Sequence, residues 1–328
     1  MNNLSAITSL DNIRIENGID NLRSFFYQQI RNDIKEAIKL INDENLHFAS
    51  LFVLKPEIEK LDILNKLNTR NRIALGITNE ILTKQSNVAT GEYLSTDYIQ
   101  AVCSVLKWMI GTGAADDGLN NQYDEVMDIT AILLTKVYKD KTMLPTMTDM
   151  IFKRYKEGLL IHDLVWAFFQ ARDPYSLINI AERLQSSDLK EVELAQKLLG
   201  FIPGIDMKND IYKKEQYLSF LDWIGKNNLF LCFTGESFQQ TSNPVLYEIV
   251  LEGKYLCAAI SVDTGKILKS LTEEDFKLLD NFKKLDKDTQ VLLANFSFML
   301  HHKDIHSWNT WLHYPIAEQI KIARGGLQ

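Results

Sequence analysis

The sequence predicts a mainly α-helical protein, a multi-helix bundle or irregular α-helical stack, with a small β-hairpin insertion near residues 246–268. Three observations carry this expectation. From residue 147 to 201 apolar residues recur in steps of three and four with almost no interruption, the spacing of amphipathic helices that share an interior. The same period returns in Leu22, Phe25, Phe26, Ile30, Ile34, Ala37, Ile38 and Ile41, and again in Val126, Ile129, Leu133 and Val137. Only after Asn227 does the pattern change. There residues 229–233, 247–251 and 254–262 read as short apolar strands, the last two joined at Glu252–Gly253.

Taken in order, residues 1–17 are polar and poorly periodic, and a loose arm is expected up to Gly18. A single long helix should follow from Leu22 to Ile41 and end at Asn42–Asp43. The apolar stretch 46–54 should stop before Pro56, because a residue preceding proline is pushed out of the helical region. Helices are expected near 58–67 and 72–82, then a polar loop over 84–95. Residues 96–110 and 122–139 read as helices separated by the glycine-rich stretch 111–121. Inside the central run, Asp173 is a natural cap with Pro174 at the first helical position. Asp188 with Glu191 marks another helix start, and Gly200 and Pro203–Gly204 close the run. A helix over 211–224 follows. Thr272 opens a later one, with Glu273, Glu274 and Asp275 in its first turn, where the helix dipole favours negative charge. No fixed repeat of 33–47 residues recurs. Composition marks no strong boundary; the best candidate, near residues 202–210, would give a helical domain over 1–205 and a mixed helical domain with the β element over 206–328, the alternative being a single domain.

The 328 residues are 46% hydrophobic and 24% charged, proportions of an ordinary globular protein with ample core. A net charge of −7 argues against nucleic acid or an anionic membrane surface as the main partner. No apolar run approaches the roughly 18 residues of a membrane span. The first residues have neither a basic region nor a continuous apolar one, so no secretory signal is expected. Cys103, Cys232 and Cys257 lack CxxC spacing and read as free thiols, which points to a cytoplasmic location.

Several residue groups are candidates for chemistry. Asp116–Asp117 forms a carboxylate pair able to hold magnesium through substrate phosphates. In an all-α chain of this length the pair, with Asn209–Asp210 and Glu215 downstream, resembles the metal site of the class I terpene synthases. That resemblance implies a magnesium-dependent enzyme. The chain departs from the pattern at Gly118, Leu119 and Asn120, where acidic residues should continue, and at Lys213 and Tyr217 in the later motif. The simpler alternative is a solvated loop and helix cap. His302 and His306 stand four apart, close enough on one helix to share a metal, although Lys303 occupies the place of the glutamate that a metalloprotease signature needs. The alternative is a helix end where imidazoles face the negative dipole. His162–Asp163 matches the dipeptide of HD-type phosphohydrolases without a fitting upstream histidine, and reads as a partly buried pair at a helix interface. The segment 233–237 is not a nucleophile elbow, and Gly111-Thr-Gly113 lacks the ending of a P-loop. Trp308, Trp311 and Tyr314 are large amphipathic rings that would either anchor an interface or close the chain's own core.

With no complete catalytic set, the leading expectation is a non-enzymatic protein-protein interaction, scaffold or assembly protein acting through helical surfaces. It would bind a protein partner or form a homo-oligomer, without a cofactor. The alternatives are a magnesium-dependent all-α enzyme of the class I terpene-synthase type and a helical regulator that binds a small ligand.

Overall fold

The computed structural model describes residues 8–83, 98–205 and 213–326. Among them the chain forms 17 α-helices and one two-stranded antiparallel sheet, the fold class read from the sequence. Contacts divide the chain into two compact units, Met1–Ala171 and Arg172–Gln328, so the apolar run 147–201 contributes to both. The polar stretch 84–95, Asn209–Asp210 and the first residues beyond the expected boundary at 205 lie outside the described residues.

The N-terminal unit holds α1 (Ser9–Asn17), α2 (Ile19–Asn32), α3 (Ile34–Ile41), α4 (Phe48–Lys60) and α5 (Thr69–Thr83). It continues with α6 (Ile99–Gly113), α7 (Asn121–Ile132), α8 (Leu144–Glu157) and α9 (His162–Gln170). Three elements differ from expectation, each for a physical reason. Residues 9–17 are helical, opened by a capping box between Thr8 and Asp11. Their buried face is Leu10, Asp11 and Arg14, largely polar, so it left no apolar period. The long helix is cut at Asp33, whose extended backbone and side chain cap α3 by accepting from the N–H groups of Lys35 and Glu36. Helix α4 runs through Pro56, because burial of Phe48, Leu51, Phe52, Val53, Leu54 and Ile58 outweighs the one backbone bond the proline removes. Phe48 stacks on Tyr123 with ring centroids 5.6 Å apart, and Phe52 meets the same ring edge-on at 5.0 Å. In α9 Leu164, Val165, Phe168 and Phe169 are buried. Trp166 is half-buried beneath Lys136 Nζ, 4.6 Å from its ring.

The C-terminal unit begins with α10 (Leu177–Ala181), α11 (Leu189–Leu199) and α12 (Lys213–Asn227). Asp188 caps α11 as its sequence suggests. The strands β1 (Leu231–Phe233) and β2 (Tyr247–Ile249) pair antiparallel with Cys232 opposite Glu248. Then come α13 (Leu251–Tyr255), α14 (Glu273–Lys283), α15 (Lys287–Lys303), α16 (Ile305–Leu312) and α17 (Ile316–Gly326). Thr272 and Asp275 form the capping box of α14. The partner of β2 is therefore 231–233 and not 254–262. Residues 251–255 turn instead into a helix, and only the single bridge Ile260–Ile267 falls in the expected second strand. Gly253 permits this. A Cβ there would meet Ile260 Cγ2 at 2.5 Å and Ala258 O at 3.0 Å, so the chain folds back onto its own helix only because the side chain is absent.

Phe169 is nearly fully buried and packs edge-on against Phe168 at 5.3 Å. Phe169→Ala should destabilise the N-terminal unit by about 3–5 kcal/mol in chemical denaturation. A loss under about 1 kcal/mol would show that α9 is peripheral.

Candidate functional site

Both aspartates are engaged by arginines, Asp117 in the interior and Asp116 half-buried. Asp116 receives both terminal nitrogens of Arg14, the second at 2.9 Å, and Arg14 Nε donates to Ser50 Oγ at 2.9 Å. Ser50 in turn donates to Asp11 at 2.6 Å. Asp117 takes a two-pronged bond from Arg154, Nε at 2.8 Å and Nη2 at 2.7 Å, with its side chain 1% exposed. Arg154 Nη1 also reaches Asp128 at 2.8 Å. Burial outweighs the pull of Arg154 on Asp128, and with the charges of Asp163 and Asp117 adding to it that carboxyl is pushed up to about 7. The expected solvated loop is thus a buried ion-pair seam, with glycines that gave it the look of a turn. Beside it lies a cavity of about 440 Å³ lined by Asp124, Glu125, Asp128, Asp163, Leu159 and Leu160.

The histidines do not share a helix face. Asp304 ends α15 in extended conformation and caps α16 by accepting from His306 N, so a break separates His302 from His306. His302 Nδ1 bonds to Phe298 O at 2.9 Å, and His301 packs edge-on against Trp308. Among the described residues no group of three or more His, Cys, Asp or Glu is arranged to hold a metal ion. His162 and Asp163 are exposed at the start of α9, not at an interface. Trp308 and Trp311 belong to the core of the C-terminal unit. The indole of Trp308 donates to Ser297 Oγ at 2.7 Å, and that of Trp311 to Gln319 O at 3.4 Å. Of the three rings, for which an interface and the chain's own core were both open, only Tyr314 is exposed, at 42%. The two tryptophans use their polar handles inside the chain, which removes the reason for placing them at an interface.

The feature that sequence reasoning missed is Lys254. It sits on α13, 2% exposed, where one turn of helix carries it beneath α12 and α15. Its Nζ donates to Asn227 Oδ1 at 2.6 Å and Asn295 Oδ1 at 2.7 Å, and lies 5.5 Å from the centre of the Phe298 ring. Among the described residues it makes no ion pair with a carboxylate. Burial is the main reason its ammonium is depressed to about 8, with the charge of Lys226 second. Asp222, the nearest acid, is already bound to Lys226 at 2.7 Å.

Lys254, Asn227, Asn295 and Phe298 all line one cavity of about 840 Å³. One wall is a stripe of α12 (Ser219, Asp222, Trp223, Lys226) and the other a stripe of α15 (Val291, Asn295, Phe298, Met299, His302), each at the i, i+3, i+4 spacing of a single helix face. Ile249 and Leu251 complete a largely apolar lining. The apolar members of the α15 stripe, Val291, Phe298 and Met299, recur at helical spacing in the sequence. Lys254 was not, since its partners stand 27 and 41 residues away. No known protein family, curated protein or solved structure matches the chain.

The ion-pair seam makes a direct prediction. Asp117→Asn leaves half of a buried guanidinium without its carboxylate and should destabilise the N-terminal unit by about 3–5 kcal/mol. A loss below about 1 kcal/mol, the range of exposed pairs, would contradict the burial described.

Proposed function

We propose that the C-terminal unit binds a small molecule with an apolar body and one oxygen-bearing head group, a carboxylate or carbonyl, that meets Lys254. One observation carries this reading. A cation is held out of water at the wall of an apolar cavity, with amide oxygens and no carboxylate to balance it. Ligand cavities span roughly 300–1,000 Å³ and combine apolar walls with a few placed polar groups, which this cavity does at about 840 Å³. The reading favours a helical ligand-binding protein over a scaffold, whose expected anchors, Trp308 and Trp311, are engaged inside the core.

Octanoate is a suitable probe. Calorimetry should detect saturable one-to-one binding that Lys254→Met weakens about tenfold or more, the worth of a charge-assisted hydrogen bond. The sign of the pH dependence follows from the depressed lysine. The free site is charged below about 8 and neutral above it, so octanoate affinity should be steady at lower pH and fall as pH rises through 8. Binding that is absent, or equal in wild type and Lys254→Met, would reject the site.

A further inference from the structure

The arrangement around Lys254 Nζ distinguishes its two protonation states. Beyond Cε the nitrogen has three tetrahedral positions. Two carry hydrogens donated to Asn227 Oδ1 and Asn295 Oδ1, and the third has no oxygen or nitrogen acceptor among the described residues. As an ammonium the group carries a third N–H in that position. As a neutral amine it has only two hydrogens, both engaged by the amides, so its lone pair takes the open position. The lysine, both asparagines and Phe298 line the same cavity, so a ligand held there meets an amine whose two amide-bound positions are already taken. The two amides therefore orient a nucleophile.

We propose that Lys254 captures an aldehyde or ketone with an apolar body as a reversible imine. This rests on the reading of the cavity as a ligand site. The lone pair of Nζ attacks the carbonyl carbon, and the C=O electrons move to oxygen. A proton passes from nitrogen to that oxygen, giving a carbinolamine. The hydroxyl then takes a further proton and leaves as water while nitrogen forms the C=N bond. Amine and carbonyl become imine and water, with no change of oxidation state and no co-reactant. Solvent water supplies the proton, and His302 and Lys226 are among the side chains that line the cavity. A protonated imine keeps one N–H for Asn227 or Asn295.

The surroundings favour the neutral nucleophile. Burial and the neighbouring Lys226 lower the ammonium to about 8, while Asp222 and Cys257 act weakly in the opposite sense. His302 is the other titratable side chain at the cavity. Desolvation beside a second cation is a general way to activate a lysine.

The test is reductive trapping with octanal and cyanoborohydride at about pH 7.5 on the full chain, read by intact mass and peptide mapping, with octanoate calorimetry in parallel. The expected product carries an octyl group on Lys254, formed about tenfold or more faster than on any surface lysine. Lys254→Arg should abolish the adduct. Asn295→Asp is the sharper variant because residue 295 is exposed and the change keeps the side chain's shape while replacing its amide with a carboxylate. Its carboxylate would hold Nζ charged, so labelling should slow about tenfold or more while the melting temperature does not fall, since supplying the missing counter-charge stabilises the folded state. Octanoate binding without preferential labelling of Lys254, or labelling indifferent to Asn295→Asp, would overturn imine formation and leave the cavity reading standing. Failure of both octanoate binding and trapping would overturn the two together.

Discussion

A charge taken out of water costs several kcal/mol unless its surroundings replace the lost hydration. The two units meet this constraint in opposite ways. In the N-terminal unit the buried guanidiniums are neutralised: Arg14 by Asp116, and Arg154 by Asp117 and Asp128. These pairs join α1, α7 and α8 to the short turn after α6, so the charge is spent on holding helices in register. In the C-terminal unit Lys254 has only two amide oxygens. Their dipoles orient the ammonium without cancelling it. Among the described residues the fold places carboxylates against Arg14 and Arg154 but none against Lys254, which is why we propose a ligand as the group that completes its electrostatics.

The remainder of the C-terminal unit fixes that site in place. Trp308 donates to Ser297 Oγ, and Ser297 donates at 2.6 Å to the carbonyl of Tyr255, the residue after Lys254. Tyr255 stacks on Phe282 with centroids 4.4 Å apart, and its hydroxyl donates to Gln319 Oε1 at 2.8 Å. The other end of the Gln319 amide donates to Leu312 O and Tyr314 O. Helices α14 to α17 thus clamp the single turn of α13 from several sides. Locking a functional side chain through its neighbours lowers the entropy lost on binding. This gives the buried tryptophans a role in support of the site, through the helix that presents Lys254.

What was legible in the sequence was whatever apolar period and capping chemistry encode. The helices around Phe168 and Phe169, the cap at Asp188 and the capping box at Thr272 follow from local residues and appear where those residues stand. What was hidden depends on distant partners. Helix α1 buries Asp11 and Arg14, whose polarity imitates a loose arm until Ser50 and Asp116 are brought to them. The helix containing Pro56 survives through tertiary burial that no local rule can weigh. The stretch 251–255 has the Glu-Gly pair of a tight hairpin turn, and only the approach of Ile260 to Gly253 shows why it coils into a helix instead. The same limit hid Lys254, since a lone lysine in an apolar stretch reads as a solvated side chain until two asparagines from separate helices close on it.

The central claim is that Lys254 is a desolvated amine with no counter-charge, and its own titration tests this most directly. Lysine side chains labelled with carbon-13 at Cε report the protonation of each Nζ by NMR. One resonance, lost in Lys254→Met, should titrate near pH 8, well below the ordinary lysine value of 10.5. If the resonance assigned to Lys254 instead titrates with the surface lysines, the amine is either solvated or paired with a carboxylate, and the account of the cavity fails.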